Sequence, residues 1–180
     1  MRALWIGNAL ALAAVCTMAI VERLPAAELK VGDAAPAFEL VGSDGKTHKL
    51  EDLAGQHVVL AWFPKAFTPG CTAECTSFAR DAAALKQYDV AYFTASCDTA
   101  DLNTKFAKSV GADYPILSDP GCEVAEAYGV VDNSRKVPRR WTFFIGPDGK
   151  ILAIDKEVVT QNYALEVAKK LEELGVPKGE

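Results

Sequence analysis

An apolar strand pattern that leads directly into a cysteine-bearing helix pattern is the feature that most constrains how this chain folds. The run VVLAWF at residues 58–63 is short, uncharged and rich in β-branched and aromatic side chains, which is typical of a buried strand. A loop with two prolines and one glycine follows at residues 64–70. Five side chains then recur at helical spacing: Cys71, Cys75, Phe78, Ala82 and Leu85. We therefore predict a buried strand, a tight loop, and a helix that runs to about Tyr88.

The rest of the chain alternates between strand and helix patterns. Two strands that flank a turn at residues 43–46 are predicted before the central strand, at residues 36–40 and 47–50. Four more strands are predicted after the cysteine helix, at residues 90–96, 114–118, 141–145 and 150–154. Helices are predicted at residues 101–110, at residues 121–128, and over a last apolar face formed by Ala164, Val167, Ala168, Leu171 and Leu174. This order predicts an α/β fold with a central mixed sheet flanked by helices.

Residues 1–27 have the pattern of an export segment. Arg2 precedes a 19-residue apolar stretch at residues 3–21, and small residues at Ala26 and Ala27 offer a cleavage site. We expect a cleaved signal peptide, although the stretch is close to the ~20 residues that span a bilayer. An uncleaved membrane anchor is therefore the alternative. Either way, we expect residues 28–180 to form one domain in the periplasm or outside the cell.

Charge and cysteine usage narrow the classes of function. The formal net charge of −5 disfavours binding to nucleic acid, because the phosphate backbone attracts basic surfaces. The five cysteines are odd in number and lack the tight spacing of a disulfide framework. We therefore expect reactive or simply buried thiols, with Cys97 and Cys122 most simply explained by packing.

Cys71 is the predicted nucleophile. At the first turn of a helix, its sulfur lies near free backbone N–H groups and the positive end of the helix dipole, which favour a thiolate. A thiolate can cleave a peroxide O–O bond, provided that the site also orients the peroxide. Thr68, three residues earlier, can place a hydroxyl beside the sulfur, and Pro64 can fix the loop and shield it from water.

A cation would complete such a site, because it stabilises both the thiolate and the leaving oxygen. Arg140, at the start of the predicted strand 141–145, is our candidate for this catalytic role. Its neighbour Arg139 should point the other way, since side chains alternate along a strand. Glu74, about one turn after Cys71, is placed to brace the arginine.

These residues resemble a known family. The pattern Pro64-x-x-x-Thr68-x-x-Cys71 resembles the active-site motif of the peroxiredoxins, members of the AhpC/TSA superfamily. The wider loop PKAFTPGCT is similar to the bacterioferritin-comigratory or Q-type branch. The likeness extends over nearly all of the chain after the export segment, including residues 31–38, 116–119, 127–130 and 140–145.

The resemblance implies a thioredoxin-like fold with an N-terminal β-hairpin extension. It implies that Cys71 is the peroxidatic cysteine, that Pro64 and Thr68 form the usual pair beside it, and that Arg140 is the family's arginine. The implied reaction reduces hydrogen peroxide or an organic hydroperoxide with electrons from a thioredoxin-like dithiol. Neither a cofactor nor a resident metal is expected, and Q-type relatives imply a monomer or homodimer.

Cys75 departs from the pattern of this branch, which usually places its resolving cysteine five residues after the peroxidatic one. Here Cys75 comes four residues after Cys71. Two sulfurs at this spacing share a face of an intact helix but are poorly placed for a disulfide. We expect Cys75 to resolve a Cys71 sulfenic acid after the first turns unwind. The alternatives are an external thiol or Cys97.

Two other classes of function share part of the pattern. Cys71-x-x-x-Cys75 also resembles the copper chaperones of the Sco type, whose thiolates suit Cu(I). Those proteins need a distant histidine, whereas His48 and His57 both precede the cysteines. A thiol–disulfide oxidoreductase would use CxxC and a proline directly before the strand at residues 141–145, and Pro138 lies too early.

Overall fold

A seven-stranded mixed sheet forms the centre of the computed structural model, which describes residues 28–132, 134 and 136–179. The strands are β1 Glu39–Gly42, β2 Thr47–Lys49, β3 His57–Trp62, β4 Val90–Ser96, β5 Ile116–Ser118, β6 Thr142–Ile145 and β7 Ile151–Asp155. The helices are α1 Pro69–Arg80, α2 Ala82–Lys86, α3 Ala100–Val110, α4 Glu123–Ala127 and α5 Tyr163–Glu173. The spatial order of the strands is β2-β1-β5-β4-β3-β6-β7.

The sheet combines a parallel centre with antiparallel borders. β3, β4 and β5 run parallel to one another, and β6 and β7 add to β3 as an antiparallel pair. The predicted N-terminal hairpin forms from β1 and β2 and joins the other border through β5. The predictions of a central mixed sheet and of a hairpin extension are both confirmed.

β3 divides the apolar core into two clusters, one on each face of the sheet. Val59, Ala61 and Phe63 pack into a cluster with α1, α2, α3 and α5, which we call the helical cluster. Val58 and Leu60 belong to a second cluster with the hairpin and α4, which we call the hairpin cluster. Because both faces are covered, residues 58–63 are all nearly inaccessible, as their unbroken apolar sequence predicts.

The cysteine helix is divided where the sequence predicts one continuous element. α1 ends at Arg80 and α2 begins at Ala82, with Asp81 between them in a non-helical conformation (φ −102°, ψ 18°). Arg80 donates to the Asp81 carboxylate from Nη2 at 2.6 Å, and the Ser77 hydroxyl donates to it at 3.4 Å. Aspartate competes for such local bonds at the expense of the helix, so it favours an end at this position.

The predicted signal peptide or anchor at residues 1–27 lies outside the described residues. Over the part of the chain that is described, none of the helices has both the length and the apolar character that crossing a bilayer requires. The other predicted elements are found with small shifts at their ends, and the first strand begins at Glu39 rather than at Pro36.

Candidate active site

The loop that joins β3 to α1 is held by hydrogen bonds to the end of β4. The Phe63 N–H donates to the Ala95 carbonyl at 2.9 Å, and the Ala66 N–H donates to Asp98 Oδ2 at 2.7 Å. The loop also contains Phe67, which has a φ of 61° although it is not glycine. A bulky residue is uncommon in this region of φ, so the loop approaches α1 through a strained turn.

Cys71 is the third residue of α1, which begins at Pro69. The prediction that this cysteine lies in the first turn of a helix is therefore confirmed. N–H groups of a first turn have no partner within the helix, and they carry the positive end of its dipole. The Cys71 residue has no exposed surface in the resting structure. Its sulfur is thus held at the helix start and shielded from bulk water.

Arg140 brings a positive charge to this sulfur from a distant segment. Its Nη2 donates to Cys71 Sγ at 3.2 Å, and its Nη1 donates to Glu74 Oε2. The position of the arginine is set by the sheet, because the Trp62 N–H donates to the Trp141 carbonyl at 2.8 Å. About a fifth of the Arg140 side chain is exposed (21%). The arginine is therefore mostly buried beside the sulfur.

The neighbouring Arg139 makes its contacts in a different part of the molecule, so only one of the two arginines reaches Cys71, as predicted. It donates to Asp132 Oδ2 at 2.6 Å and to the Gly129 carbonyl at 3.1 Å. Its guanidinium also lies 5.6 Å from the centre of the Trp141 ring. Of these two adjacent arginines, Arg140 is therefore the one that faces the cysteine.

Glu74 is a buried carboxylic acid that accepts a hydrogen bond from Arg140 Nη1, while Nη2 of the same guanidinium donates to Cys71. Burial raises the pKa of Glu74 to about 7, although the adjacent Arg140 opposes this shift. Burial lowers the pKa of Arg140, but Glu74 and Cys71 outweigh that effect, and the net shift is upward. Glu74 Oε1 has no hydrogen-bond partner among the described residues. The arginine is therefore charged, and its partner is costly to ionise.

Gly70 permits the close approach of the guanidinium to the helix start. A Cβ atom at this position would lie 3.3 Å from Arg140 Nη2, closer than ordinary side-chain contacts. From the sequence, this glycine was predicted only as part of a turn. Asp98, which anchors the loop through Ala66, was also missed, although a polar residue just after a buried strand was a usable signal.

Cys75 lies one turn further along α1 and faces the interior. Its residue is fully buried in the helical cluster. Burial is the main cause that raises the pKa of this thiol far above its usual range, and Thr94 and Tyr114 contact its side chain. The Tyr114 hydroxyl also donates to the Cys75 carbonyl at 3.0 Å. In the resting structure, Cys75 is a neutral core thiol.

The structure thus brings Cys71 and Arg140 into contact, and Glu74 is bonded to the same arginine. Pro64 and Thr68 lie in the same loop and are partly exposed. The Thr68 hydroxyl donates to the Lys65 carbonyl at 2.9 Å, so a role beside the sulfur would use its oxygen as an acceptor. Within residues 28–132, 134 and 136–179, no three His, Cys, Asp or Glu side chains are grouped to hold a metal ion.

Comparison with known proteins agrees with the family resemblance of the sequence. The model of the AhpC/TSA family matches residues 31–154. Peroxiredoxin Bcp of Escherichia coli is 33% identical over 141 residues, which cover 75% of this chain and 90% of that protein. Peroxiredoxin Bcp of Bacillus subtilis is 27% identical over 152 residues, covering 81% of this chain and 97% of that protein.

Solved structures show the same architecture. The crystal structure of peroxidoxin BcpB from Mycobacterium tuberculosis has a TM-score of 0.72 at 32% identity and covers 82% of this chain and 97% of that one. A PrxQ mutant from Xylella fastidiosa has a TM-score of 0.76 at 25% identity, covering 83% and 99%. The predicted thioredoxin-like fold is confirmed by these neighbours, as is the resemblance to the Bcp and Q-type branch.

Proposed function

Because this chain belongs to the AhpC/TSA family, we propose that it is a peroxidase in which Cys71 attacks the substrate. Its relatives are named peroxiredoxins, and the chain is accordingly a thiol-dependent peroxidase that consumes peroxide and a thiol reductant. The assignment of Cys71 is supported above all by one contact, the 3.2 Å approach of Arg140 Nη2 to its sulfur. A charged donor at this distance can hold the sulfur in place and stabilise negative charge that develops beside it.

The reaction follows from the same geometry. The Cys71 thiolate attacks one peroxide oxygen, the O–O bond breaks, and the second oxygen leaves with the electron pair and takes a proton. The sulfur becomes a sulfenic acid, and water or an alcohol is released. Arg140 first stabilises the thiolate and then the charge on the leaving oxygen. Glu74 keeps the guanidinium in place, and the Thr68 oxygen accepts a hydrogen bond from the bound peroxide.

Peroxide reaches the sulfur only after the loop moves, since Cys71 is fully buried at rest. The segment before it is the part that opens in this proposal. Phe67 is strained and about half exposed (52%), and Pro69 is exposed as well. Pro64, at the other end of the loop, shields the site when it is closed.

Cys75 is our proposal for the thiol that resolves the sulfenic acid. Its sulfur attacks the Cys71 sulfur, water leaves, and an intramolecular disulfide forms. This step requires the first turns of α1 to unwind, because Cys75 is a core residue. Two features of its first turn support such unwinding: Gly70 is a poor helix former, and the Thr68 side chain does not cap α1. A thioredoxin-like dithiol then restores both thiols.

The cellular setting is proposed from the sequence alone. Residues 1–27 export the chain, as a cleaved signal peptide or as an anchor, and the domain at residues 28–180 works in the periplasm or outside the cell. Both hydrogen peroxide and organic hydroperoxides are proposed substrates. A monomer or a homodimer is the proposed state.

Paired cysteine variants test the assignment. Cys71→Ser is expected to lose peroxide turnover by roughly 10³-fold or more, because the hydroxyl is a poor nucleophile. Cys75→Ser is expected to lose turnover with a thioredoxin-like dithiol and to keep it with dithiothreitol. Thr72→Ser, an exposed change in the same turn, serves as the control.

Two results would contradict parts of the proposal. Turnover that survives in Cys71→Ser would remove the nucleophile assignment. Full turnover of Cys75→Ser with the protein dithiol would remove the resolving assignment alone. Mass spectrometry of the exported protein after one equivalent of peroxide identifies the partner of Cys71 and the mature N-terminus in one measurement.

A further inference from the structure

Two thiols outside the cysteine loop meet where two neighbouring strands end. β4 and β5 are parallel, pair Ser96 with Ser118, and are joined beyond that pair by the Asp119 N–H, which donates to the Ser96 carbonyl at 2.9 Å. Cys97 follows β4 directly. Cys122 follows β5 after a turn in which its N–H donates to the Asp119 carbonyl at 2.9 Å. The carboxyl ends of adjacent parallel strands thus bring together two cysteines that are distant in sequence.

The Cys122 side chain lies close enough to the Cys97 thiol to raise its pKa. Cys122 is buried, and its Sγ lies 3.7 Å from the Lys136 carbonyl oxygen. Cys97 is only partly buried, and it packs against the hairpin cluster to which Cys122 belongs. The pair therefore combines one thiol that solvent can reach with one that is internal.

The backbone at Cys122 is held in an unfavourable conformation. Its φ is 58°, and only Phe67 shares this left-handed region among the non-glycine residues of the described chain. Glycine, asparagine and aspartate are the residues that tolerate it, and cysteine is not among them. Such a conformation persists only where the surroundings impose it, and here it accompanies the contact with Cys97.

This pair is separate from the Cys71 site. Cys71 and Cys75 belong to the helical cluster, whereas Cys97 and Cys122 pack with the hairpin cluster on the opposite face of the sheet. The sheet therefore stands between the two pairs. Asp98, next to Cys97, links the two regions, because it accepts a hydrogen bond from the Ala66 N–H of the cysteine loop at 2.7 Å.

We propose that Cys97 and Cys122 form a second redox pair, which closes to an intramolecular disulfide when peroxide is in excess. The Cys97 sulfur attacks one peroxide oxygen, the O–O bond breaks, and water leaves with the thiol proton. The Cys122 sulfur then attacks the Cys97 sulfenic acid, and a second water leaves. Two thiols and one hydrogen peroxide thus give one disulfide and two waters.

The surroundings of Cys97 make this reaction slower than that of Cys71. Burial, the contact with Cys122, and the carboxylates of Asp119 and Asp98 all raise the pKa of the Cys97 thiol. A neutral thiol is a weaker nucleophile than a thiolate, so the pair remains reduced while Cys71 consumes the peroxide. The disulfide is expected only once peroxide exceeds that consumption.

Peptide mapping of the full chain tests the proposal. Reduced wild-type protein and the Cys71→Ser/Cys75→Ser variant are treated with excess hydrogen peroxide, alkylated and digested with trypsin, which separates Cys97 from Cys122 after Lys105 and Lys108. We expect most of both cysteines in one linked peptide, lighter by two hydrogens than its parts and released by dithiothreitol. The Cys97→Ser and Cys122→Ser variants should give no linked peptide.

Three results would overturn the proposal: both cysteines remain open to alkylation, Cys97 becomes a sulfinic acid without pairing, or Cys97 is linked to Cys71. The wild-type digest decides the question even if the double variant does not fold. The proposed peroxidase mechanism is tested separately, by turnover in the wild type. The linked peptide, in contrast, forms in a chain that lacks Cys71.

Discussion

Cys71 and Cys75 lie one turn apart on the same helix, and their surroundings differ sharply. The Cys71 sulfur meets the Arg140 guanidinium at 3.2 Å, at the start of α1. Cys75 is surrounded by the helical cluster, and burial raises the pKa of its thiol. Both residues are fully buried, so exposure does not distinguish them. The neighbouring charge, rather than access in the resting structure, therefore separates the thiol that attacks peroxide from the thiol that rests in the core.

The largest expected effect comes from removing that charge. Arg140→Gln should slow oxidation of Cys71 by peroxide by about 10²–10³-fold, as loss of one stabilising donor does in other enzymes. Arg140→Lys should recover only part of the rate, because an ammonium group cannot imitate the fork that reaches both Cys71 and Glu74. Rapid-quench alkylation of Cys71 measures the rate. The control is Arg139→Gln, and an equal loss there would contradict a specific role for Arg140.

The pH dependence of the free energy of unfolding tests the raised pKa of Glu74, the buried acid beside the reactive thiol. The pKa of Glu74 is about 7 in the folded chain, against 4.5 for an unperturbed glutamate. As pH rises from 4.5 to 7, the unfolded chain loses this proton while the folded chain retains it. Glu74 therefore lowers stability across this window by on the order of 3 kcal/mol, and the loss is complete above it.

Glu74→Gln should remove this part of the pH dependence. Urea unfolding of both proteins at pH 5 and at pH 8 measures it, and the wild type should lose stability relative to the variant between these two values. Parallel changes in the two proteins would show that Glu74 ionises as easily in the folded chain as in the unfolded one.

Stability measurements under reducing conditions sharpen the contrast between the two thiols. Cys75→Ala should cost about 1–2 kcal/mol, because it leaves a small cavity in the core. Cys71→Ser should cost less than about 0.5 kcal/mol, since its hydroxyl can accept the hydrogen bond from Arg140. Thermal or urea unfolding measures the loss of stability in each variant and shows which loss is larger. The reverse order would mean that Cys71 is the packing residue of the two.

The smallest effect is expected at Gly70. In Gly70→Ala the new Cβ would lie 3.3 Å from Arg140 Nη2, so the guanidinium must shift by a few tenths of an ångström. We expect Cys71 oxidation to slow by about 2–10-fold, well short of the loss of a whole donor. Gly121→Ala is the matched control, because its Cβ would make an ordinary 3.5 Å contact with Glu123. Unchanged kinetics in Gly70→Ala would mean that the arginine adapts freely.

Much of the fold was predictable because its periodicities are local. The buried run at residues 58–63, the strand at residues 90–96 and the helix that Gly111 ends were all predicted close to their observed positions. The break at Asp81 was not, since it depends on which side chains surround that residue. The site was predictable as a set of residue types. Alternation predicted that only one of Arg139 and Arg140 faces the cysteine, and the contact with Cys71 Sγ shows that it is Arg140.

Local sequence patterns were enough to predict the α/β order of elements, the cysteine at the start of a helix, and the candidate cation. Spacing and periodicity carry this information, because they act over a few neighbouring residues. Three features came from the folded chain alone: Arg140 and Glu74 meet at Cys71, Cys75 faces the core, and Cys97 lies beside Cys122. These contacts join segments far apart in the chain, and the sheet order that brings them together is set by packing of the whole domain.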